Sequence, residues 1–325
     1  MEIAEVLGWR VVVKKGEFKE GDLAVYIQVD TILPDAPWCE FMRERGFRVR
    51  SVKFRKELSQ GMLFSLGILP QKEHPEGIVC WYKTDEGYVC DDESPEEAIG
   101  KPVQKTLGIT KYEKPAPKNS DARGNFPLHI VPITDEERIQ NMPHILKDLG
   151  DVDITLKHDG TSLTYIRCGK FDGEINTEIL CSRKLALKPN DSSYWLVHEK
   201  YNLKDLPDDI VVQGELCGPK IQGNKQGLKE YRLYVFNVYS QIRGWYSNSE
   251  VRDFCEVYGL DTVRHVYTGP MKWDLKGLLD LADEQKYENG SQAEGIVIRS
   301  LETRDKVKPV SFKVISNKFM LKNGE

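Results

Sequence analysis

The 325-residue chain is 40% hydrophobic and 30% charged, with a formal net charge of −5. That mixture excludes a disordered polymer and speaks against a protein that merely coats nucleic acid, which would be basic. No run approaches the roughly 18 apolar residues of a membrane span. The opening MEIAEVLGWR, with acids at Glu2 and Glu5 and no apolar core, is unlike a signal peptide. The seven cysteines are scattered, with no Cys-x-x-Cys pair. They predict a soluble intracellular protein, cytoplasmic or nuclear, with reduced buried thiols and no zinc site.

The length predicts two domains, and the first hundred residues read as short strands and turns. VVVKKGEFKEGDLAVYIQV holds two apolar runs around Gly/Glu/Asp turns, and GMLFSLGIL and EGIVCWYK look like further strands. Between them, RERGFRVRSVKFRK (residues 43–56) sets Arg43, Arg45, Arg48, Arg50, Lys53, Arg55 and Lys56 against the single acid Glu44. Phe47 and Val49 alternate with Arg48 and Arg50. Val52 and Phe54 alternate with Lys53 and Arg55, after a phase slip at Ser51 of the kind a β-bulge makes. The pattern suits a small OB-like barrel tracking a phosphate backbone, or equally a plain β domain with a solvated charged edge.

Residues 106–126, with Pro115, Pro117 and Gly124, read as a linker. Next, PITDEERIQN offers Thr134 as a cap before Asp135, Glu136 and Glu137, which predicts a helix over 135–148. Further helices are expected near 191–202, 248–258 and 274–287. Strands are expected at ITLKHD, SLTYIRC, EILCSRK, DIVVQGELCG, LYVFNVYS, EGIVIRS and PVSFKVIS.

One lysine, Lys157 in DITLKHDGTSLTYI, sits between an apolar run and an Asp-Gly turn. It is either a surface charge at a hairpin or a nucleophile. A lysine that attacks a triphosphate needs its ammonium destabilised, cations and a metal for the developing charge, carboxylates for that metal, and an apolar slot for a base. Glu215 in VVQGELCG, Glu294 in EGIVIR, Phe236 in YVFNV, Arg183 in CSRK and Lys313 in SFKVIS supply those types. Each has an ordinary reading when taken singly.

The order LKHDG, CSR, GELCG, YVFNV, EGIVIR, SFK resembles motifs I, Ia, III, IIIa, IV and V of the lysine-dependent nucleotidyltransferases, the ATP-dependent polynucleotide ligases and mRNA capping enzymes. VKFRKELSQGMLFSL and PITDEERIQN narrow the resemblance to the RNA ligase branch with an N-terminal OB module, sometimes called the fifth RNA ligase family. The resemblance implies an α+β protein. An OB-like β-barrel (1–105) would bind nucleic acid, and a nucleotidyltransferase, ATP-grasp-like ligase domain of antiparallel sheets with flanking helices (127–325) would follow the linker.

The resemblance also implies an ATP-dependent RNA ligase working with Mg2+ or Mn2+. It would form a lysyl-AMP on Lys157, adenylylate an RNA 5′-phosphate and seal it to a 3′-hydroxyl, at nicks or breaks, as a monomer away from membranes. Carried over by motif, Asp159 and Glu215 serve ribose and metal waters, and Glu294 serves the metal. Phe236 stacks on adenine, Arg183 contacts the nucleotide or the RNA end, Lys313 contacts the α-phosphate, and Gly160 brings backbone close to the nucleotide. Arg48, Arg50, Lys53 and Arg55 would contact the nucleic acid backbone. One departure is Ile315, where many members have a second motif V lysine; Lys318 or Lys322 is a substitute. His158 gains no role.

Capping guanylyltransferases and most DNA ligases carry an OB domain after motif V. Only a dozen residues follow Lys313, and that favours RNA ligase. NAD-dependent ligases need a different front domain. A lapsed RNA-binding homologue would leave some of these positions unfilled, and a small-molecule enzyme would leave the basic stripe unexplained.

Overall fold

The computed structural model describes residues 1–69, 71–73, 79–81, 100, 102–112, 121–171, 174–302 and 309–323. The chain divides into two compact units, Met1–Pro115 with Met320–Glu325, and Ala116–Phe319. No helix among the described residues is long and apolar enough to cross a membrane.

The first unit contains β1 (Glu2–Val6), β2 (Trp9–Val13), β3 (Val25–Ile27), β4 (Thr31–Ile32), β5 (Arg48–Val49), β6 (Ser51–Phe54), β7 (Glu57–Gln60), β8 (Met62–Phe64), β9 (Gln71–Glu73), β10 (Val79–Trp81) and β11 (Thr110–Lys111). The β1–β2 hairpin turns through Leu7 and Gly8, both at positive φ, which matches the twist of the flanking strands. β3 pairs with β8, β6 with β7 and β9 with β10, while β4 lies between β5 and β11. Side chains join β2 to β7: the Val12 amide donates to Ser59 Oγ at 3.0 Å and Arg10 pairs with Glu57 at 3.0 Å. Val25, Ile27, Leu33, Cys39, Met42, Val49 and Leu107 form the core. Short strands that keep changing partner around one core are the mark of a small β-barrel.

The expected bulge in the basic stripe is instead a change of partner. Arg48–Val49 belongs to β5 beside β4, whereas Ser51–Phe54 belongs to β6 beside β7. The apolar face is not continuous either, because Phe54 is 41% exposed. Of the run EGIVCWYK, Val79–Trp81 is strand and the remainder lies outside the described residues. Within the stretch read as a linker, Thr110–Lys111 and Ala122–Asn125 are strands, and 113–120 lie outside the described residues.

The second unit contains β12 (Ala122–Asn125), β13 (Glu137–Arg138), β14 (Asp151–Lys157), β15 (Thr161–Phe171), β16 (Glu174–Cys181), β17 (Leu185–Leu187), β18 (Ile210–Cys217), β19 (Arg232–Ser240), β20 (Gly244–Trp245), β21 (His265–Pro270), β22 (Gly295–Ser300) and β23 (Ser311–Ile315). Its helices are α1 (Ser193–Lys200), α2 (Asn248–Tyr258) and α3 (Leu275–Glu284), and α4 (Asn317–Asn323) closes the chain. A seven-stranded sheet runs β12-β17-β16-β15-β18-β19-β20 and a five-stranded sheet runs β13-β23-β22-β14-β21. All pairings are antiparallel except β13 with β23.

Alternation on β14 explains how the five-stranded sheet is covered. Val152 and Ile154, with Ile296, Ile298, Phe312 and Val314 from the neighbouring strands, pack on Leu278, Leu279 and Ala282 of α3. The opposite face carries Asp153, Thr155 and Lys157. The seven-stranded sheet buries Leu163, Val212, Leu216, Leu233 and Val235 against Val197 of α1 and Val251, Phe254 and Cys255 of α2. A Ser247–Glu250 capping box starts α2 and Gly259 at φ 65° stops it, so this helix keeps the predicted bounds. Cys39, Cys181, Cys217 and Cys255 are free and buried.

The helix expected over 135–148 does not form. Glu137 and Arg138 pair in parallel with Phe312 and Lys313 of β23, and 3-10 turns follow at Ile139–Asn141 and Pro143–Lys147. Pro143 has no amide to donate and clashes with a preceding helical turn, so the cap-and-acid signal at Thr134 ends in a sheet edge.

Candidate active site

Lys157 is the last residue of β14, paired with Gly295 at the first residue of β22. Beyond this pair the strands part. The Lys-His-Asp-Gly turn is not a hairpin: β14 stays in the five-stranded sheet and β15 enters the seven-stranded one, between β16 and β18. The turn therefore carries the chain from one sheet to the other, and Gly160 is needed for the crossing. A Cβ there would lie 2.5 Å from the Leu216 carbonyl oxygen and 2.9 Å from Glu215 Cγ. Glycine lets the backbone press against β18, which brings Asp159 beside Glu215. Gly295 serves similarly, since a Cβ would lie 2.0 Å from the Val314 carbonyl oxygen.

Lys157 Nζ meets Glu294 Oε2 at 2.6 Å, with the two side chains 24% and 10% exposed. Glu215 joins this group. Burial pushes its carboxyl up to about 7, Glu294 and Asp159 push the same way, and Lys157 and the Gly160 amide oppose them. Lys313 sits across β22 from the β14 row that ends in Lys157, through Val297 and Thr155, so all share one face of the pleat. Burial lowers the Lys313 pKa first, and the neighbouring Lys157 charge lowers it further. Two cations and three carboxylates thus meet where the two sheets part.

Several partners were not legible in the sequence. Asp135 Oδ2 accepts from Arg183 at 2.8 Å while Oδ1 lies 3.6 Å from Lys313 Nζ, so one carboxylate links the cations of motifs Ia and V. Arg138 pairs with Lys313 along β13 and adds positive potential there. Lys225 Nζ holds Asp159 Oδ2 at 2.7 Å and lies 4.6 Å from the centre of the Phe319 ring. It comes from a tight loop after β18 in which Lys220, Gln222 and Asn224 take positive φ. The run GPKIQGNKQG, with three glycines and a proline, is the available signal for that loop. From sequence alone Asp135 reads as a helix-start acid.

Phe236 is half-buried and packs on the cluster of Cys217, Tyr234 and Val263. His158 is buried. It stacks on Tyr234 at 3.9 Å and its Nδ1 bonds Gln226 Oε1 at 2.9 Å, and burial lowers its pKa to about 4. It stays neutral and packs the floor of the turn. In the first unit Arg48 is engaged, pairing with Asp30 at 2.7 Å and lying 3.5 Å from the Tyr112 ring centre. Arg50, Lys53 and Arg55 are exposed, and Lys53 Nζ donates to the Leu321 carbonyl at 3.3 Å. Lys318 donates to the Asp283 carbonyl at 3.4 Å, and Lys322 lies near the end of α4.

Among the described residues no three His, Cys, Asp or Glu side chains converge to ligate a metal directly. The Asp159, Glu215 and Glu294 set fits a divalent cation held through water, because clustered buried carboxylates repel one another and magnesium-type ions keep their waters.

The raised Glu215 pKa has a measurable consequence. Below its ordinary value of 4.5 the carboxyl is protonated folded or unfolded, and between 4.5 and about 7 only the folded state keeps the proton. Folding then loses stability as pH rises through that window, by about 3 kcal/mol in total. In metal-free buffer, Glu215→Gln is expected to melt higher than wild type at pH 8 and to lose that advantage at pH 5. A melting difference that does not change with pH would contradict the assignment.

A family model described as RNA ligase matches residues 150–315, and an OB-fold domain model matches residues 1–66. No curated protein sequence matches the chain. Among solved structures, an apo mutant of Naegleria gruberi RNA ligase is similar at 26% identity and TM-score 0.74, covering 98% of this chain and 92% of that one. A mutant of the same ligase with ATP and Mn has the same identity, coverage and TM-score. The ligase with PPi is similar at 25% identity and TM-score 0.72, covering 99% and 96%. The matched span runs from the start of β14 to the end of β23 and so takes in Lys157, Glu215, Glu294 and Lys313: the chain belongs to the RNA ligase family.

Proposed function

We propose that the protein is an ATP-dependent RNA ligase that works through a lysyl-adenylate on Lys157. The observation that carries this reading is the Lys157 amine at the parted end of β14 and β22, 2.6 Å from Glu294 and within the electrostatic reach of Lys313 and Glu215. Glu294 pairs with the resting amine and is placed to accept its proton, and the Lys313 and Lys157 charges lie near enough to oppose one another. The freed Nζ attacks the α-phosphorus of ATP, the bond to the β-phosphate oxygen breaks, and pyrophosphate leaves. An RNA 5′-phosphate oxygen then attacks the lysyl-AMP phosphorus and releases the lysine. Finally a 3′-hydroxyl oxygen attacks the activated 5′-phosphate, expels AMP and leaves a phosphodiester.

Asp159, Glu215 and Glu294 would hold a divalent metal through water, and that metal would neutralise phosphate charge. Lys313 and Arg183, spaced in the resting protein by Asp135, are the cations for the phosphates. Phe236 offers its half-buried ring to the adenine. Incubation with labelled ATP and Mn2+ is expected to give a covalent protein adduct cleaved by acid. No adduct with ATP, or an adduct with GTP or NAD instead, would overturn the reading.

The domain assignment follows from the same reading: residues 1–105 present RNA and 127–325 carry the chemistry. Nicked or broken RNA is the expected substrate, acted on inside the cell by a monomer. Of the four residues expected to contact the nucleic acid backbone, Arg50, Lys53 and Arg55 are exposed, whereas Arg48 is committed to Asp30 and Tyr112. Converting those three to glutamine is expected to leave adduct formation unchanged and to cut sealing by about tenfold at moderate salt. The salt slope of RNA binding should be shallower by roughly one per lost phosphate contact. Unchanged sealing would assign the first unit another purpose.

A further inference from the structure

The two strands that carry the site stop pairing at Lys157 and Gly295. Past that point the Asp159 and Glu294 amides have no ladder partner, yet the strands must part to admit a nucleotide. A backbone amide left unpaired in such a place is costly, and one bonded to loose water is poorly located. The structure meets this need with one side chain. The Asp159 amide donates to Tyr287 Oη at 3.0 Å, the Glu294 amide donates to it at 3.1 Å, and the hydroxyl donates to the Lys157 carbonyl at 3.3 Å. One proton and two lone pairs are the full capacity of a phenol, and all are used on the backbone of three site residues.

Tyr287 is itself held firmly. It is 4% exposed and packs with Leu156 and Ala293. Its amide donates to the Ser291 carbonyl at 2.9 Å and its carbonyl accepts from Gly290 at 2.9 Å, which closes a tight turn after α3. The same turn grips the loop bearing Lys225, since Asn289 Nδ2 and Ser291 Oγ both donate to the Lys225 carbonyl, at 3.0 and 2.8 Å. Burial raises the phenol pKa, so the hydroxyl keeps its proton.

We propose that Tyr287 is a positioning residue for adenylylation, its hydroxyl replacing the missing rungs of the ladder and fixing the spacing of Lys157, Asp159 and Glu294. The inference rests on the lysyl-adenylate reading. Removal of the hydroxyl lets the two strand ends drift, and a displacement near one ångström at a nucleophile costs rate rather than ground-state affinity.

The test is single-turnover adduct formation with labelled ATP and Mn2+ over a range of ATP concentrations. Wild type, Tyr287→Phe and Tyr165→Phe are compared. The Tyr165 hydroxyl is buried in the same unit and donates to Glu178 at 3.0 Å, so Tyr165→Phe controls for the loss of a buried tyrosine hydroxyl away from Lys157, Asp159 and Glu294. Tyr287→Phe is expected to lower the maximal rate by about tenfold to a hundredfold, with half-saturating ATP within about threefold of wild type. Tyr165→Phe is expected to keep the wild-type rate. Three results would each overturn the proposal: a Tyr287→Phe rate within about twofold of wild type at saturating ATP, an equal loss in Tyr165→Phe, or a change confined to half-saturating ATP. If wild type itself forms no adduct, the adenylylation reading falls and takes this inference with it.

Discussion

Lys157→Ala is expected to abolish the covalent nucleotide adduct and all sealing of 5′-phosphate ends, while the fold persists. No other lysine can take over, because the position is set by the end of the β14 ladder and by Gly160 pressed on β18. The side chain is 24% exposed, so its truncation opens no large cavity. It does remove the Lys157 charge from beside Glu294 and from the group of Asp159, Glu215 and Glu294. Glu215, already pushed up to about 7 with Lys157 opposing the shift, moves higher. The variant should therefore melt close to wild type at pH 5.5, where the Glu215 carboxyl is protonated, and clearly lower at pH 8. Labelling with ATP on a denaturing gel, together with melting curves at both pH values, checks both parts. A retained adduct would assign the nucleophile elsewhere.

Arg299→Met is expected to lower stability by about 3 to 5 kcal/mol, a fall in melting temperature near 10 °C for a unit of this size. Arg299 is 7% exposed on β22, and burial lowers its pKa although Glu136 and Asp153 favour its charge. Its guanidinium donates to Asn248 at the start of α2, to the Phe236 carbonyl and to Asn237 on β19. Asn237 passes the bond to Gln213 at 2.9 Å, and Gln213 donates to the Pro132 carbonyl at 3.0 Å. This polar chain ties the five-stranded sheet to the seven-stranded one. Methionine keeps the bulk and leaves the Asn oxygens and the Phe236 carbonyl without a donor. Lys157 and Glu215 sit on different sheets, so adduct formation should fall along with stability. A melting temperature within about 2 °C of wild type would show that the network contributes little.

Much of the second unit was legible because its strands are local patterns with strong signals. Runs such as DIVVQGELC and EGIVIRS have the length and β-branched content of buried strands, and α2 announces itself with a capping box and a stop glycine. The polar residues that interrupt these runs, Lys157, Glu215, Glu294 and Lys313, are conspicuous against apolar neighbours. In the structure all four meet at one place.

The failures share one physical cause. The helix expected over 135–148 lost to a parallel pairing with residues more than 170 positions away, a contact that no local propensity registers. The phase slip in the basic stripe was visible, but whether it marked a bulge or a change of partner depended on which strand lay alongside. Asp135, Lys225 and Tyr287 act through partners distant in sequence, and nothing in their own neighbourhoods distinguishes them from a helix cap, a loop lysine and a packed aromatic. By itself the sequence determined which residues could carry charge into an apolar strand. Only the tertiary structure decided that the Lys-His-Asp-Gly turn crosses between two sheets, because that depends on registers set over a hundred residues downstream. The crossing is what turns a row of isolated charges into a site.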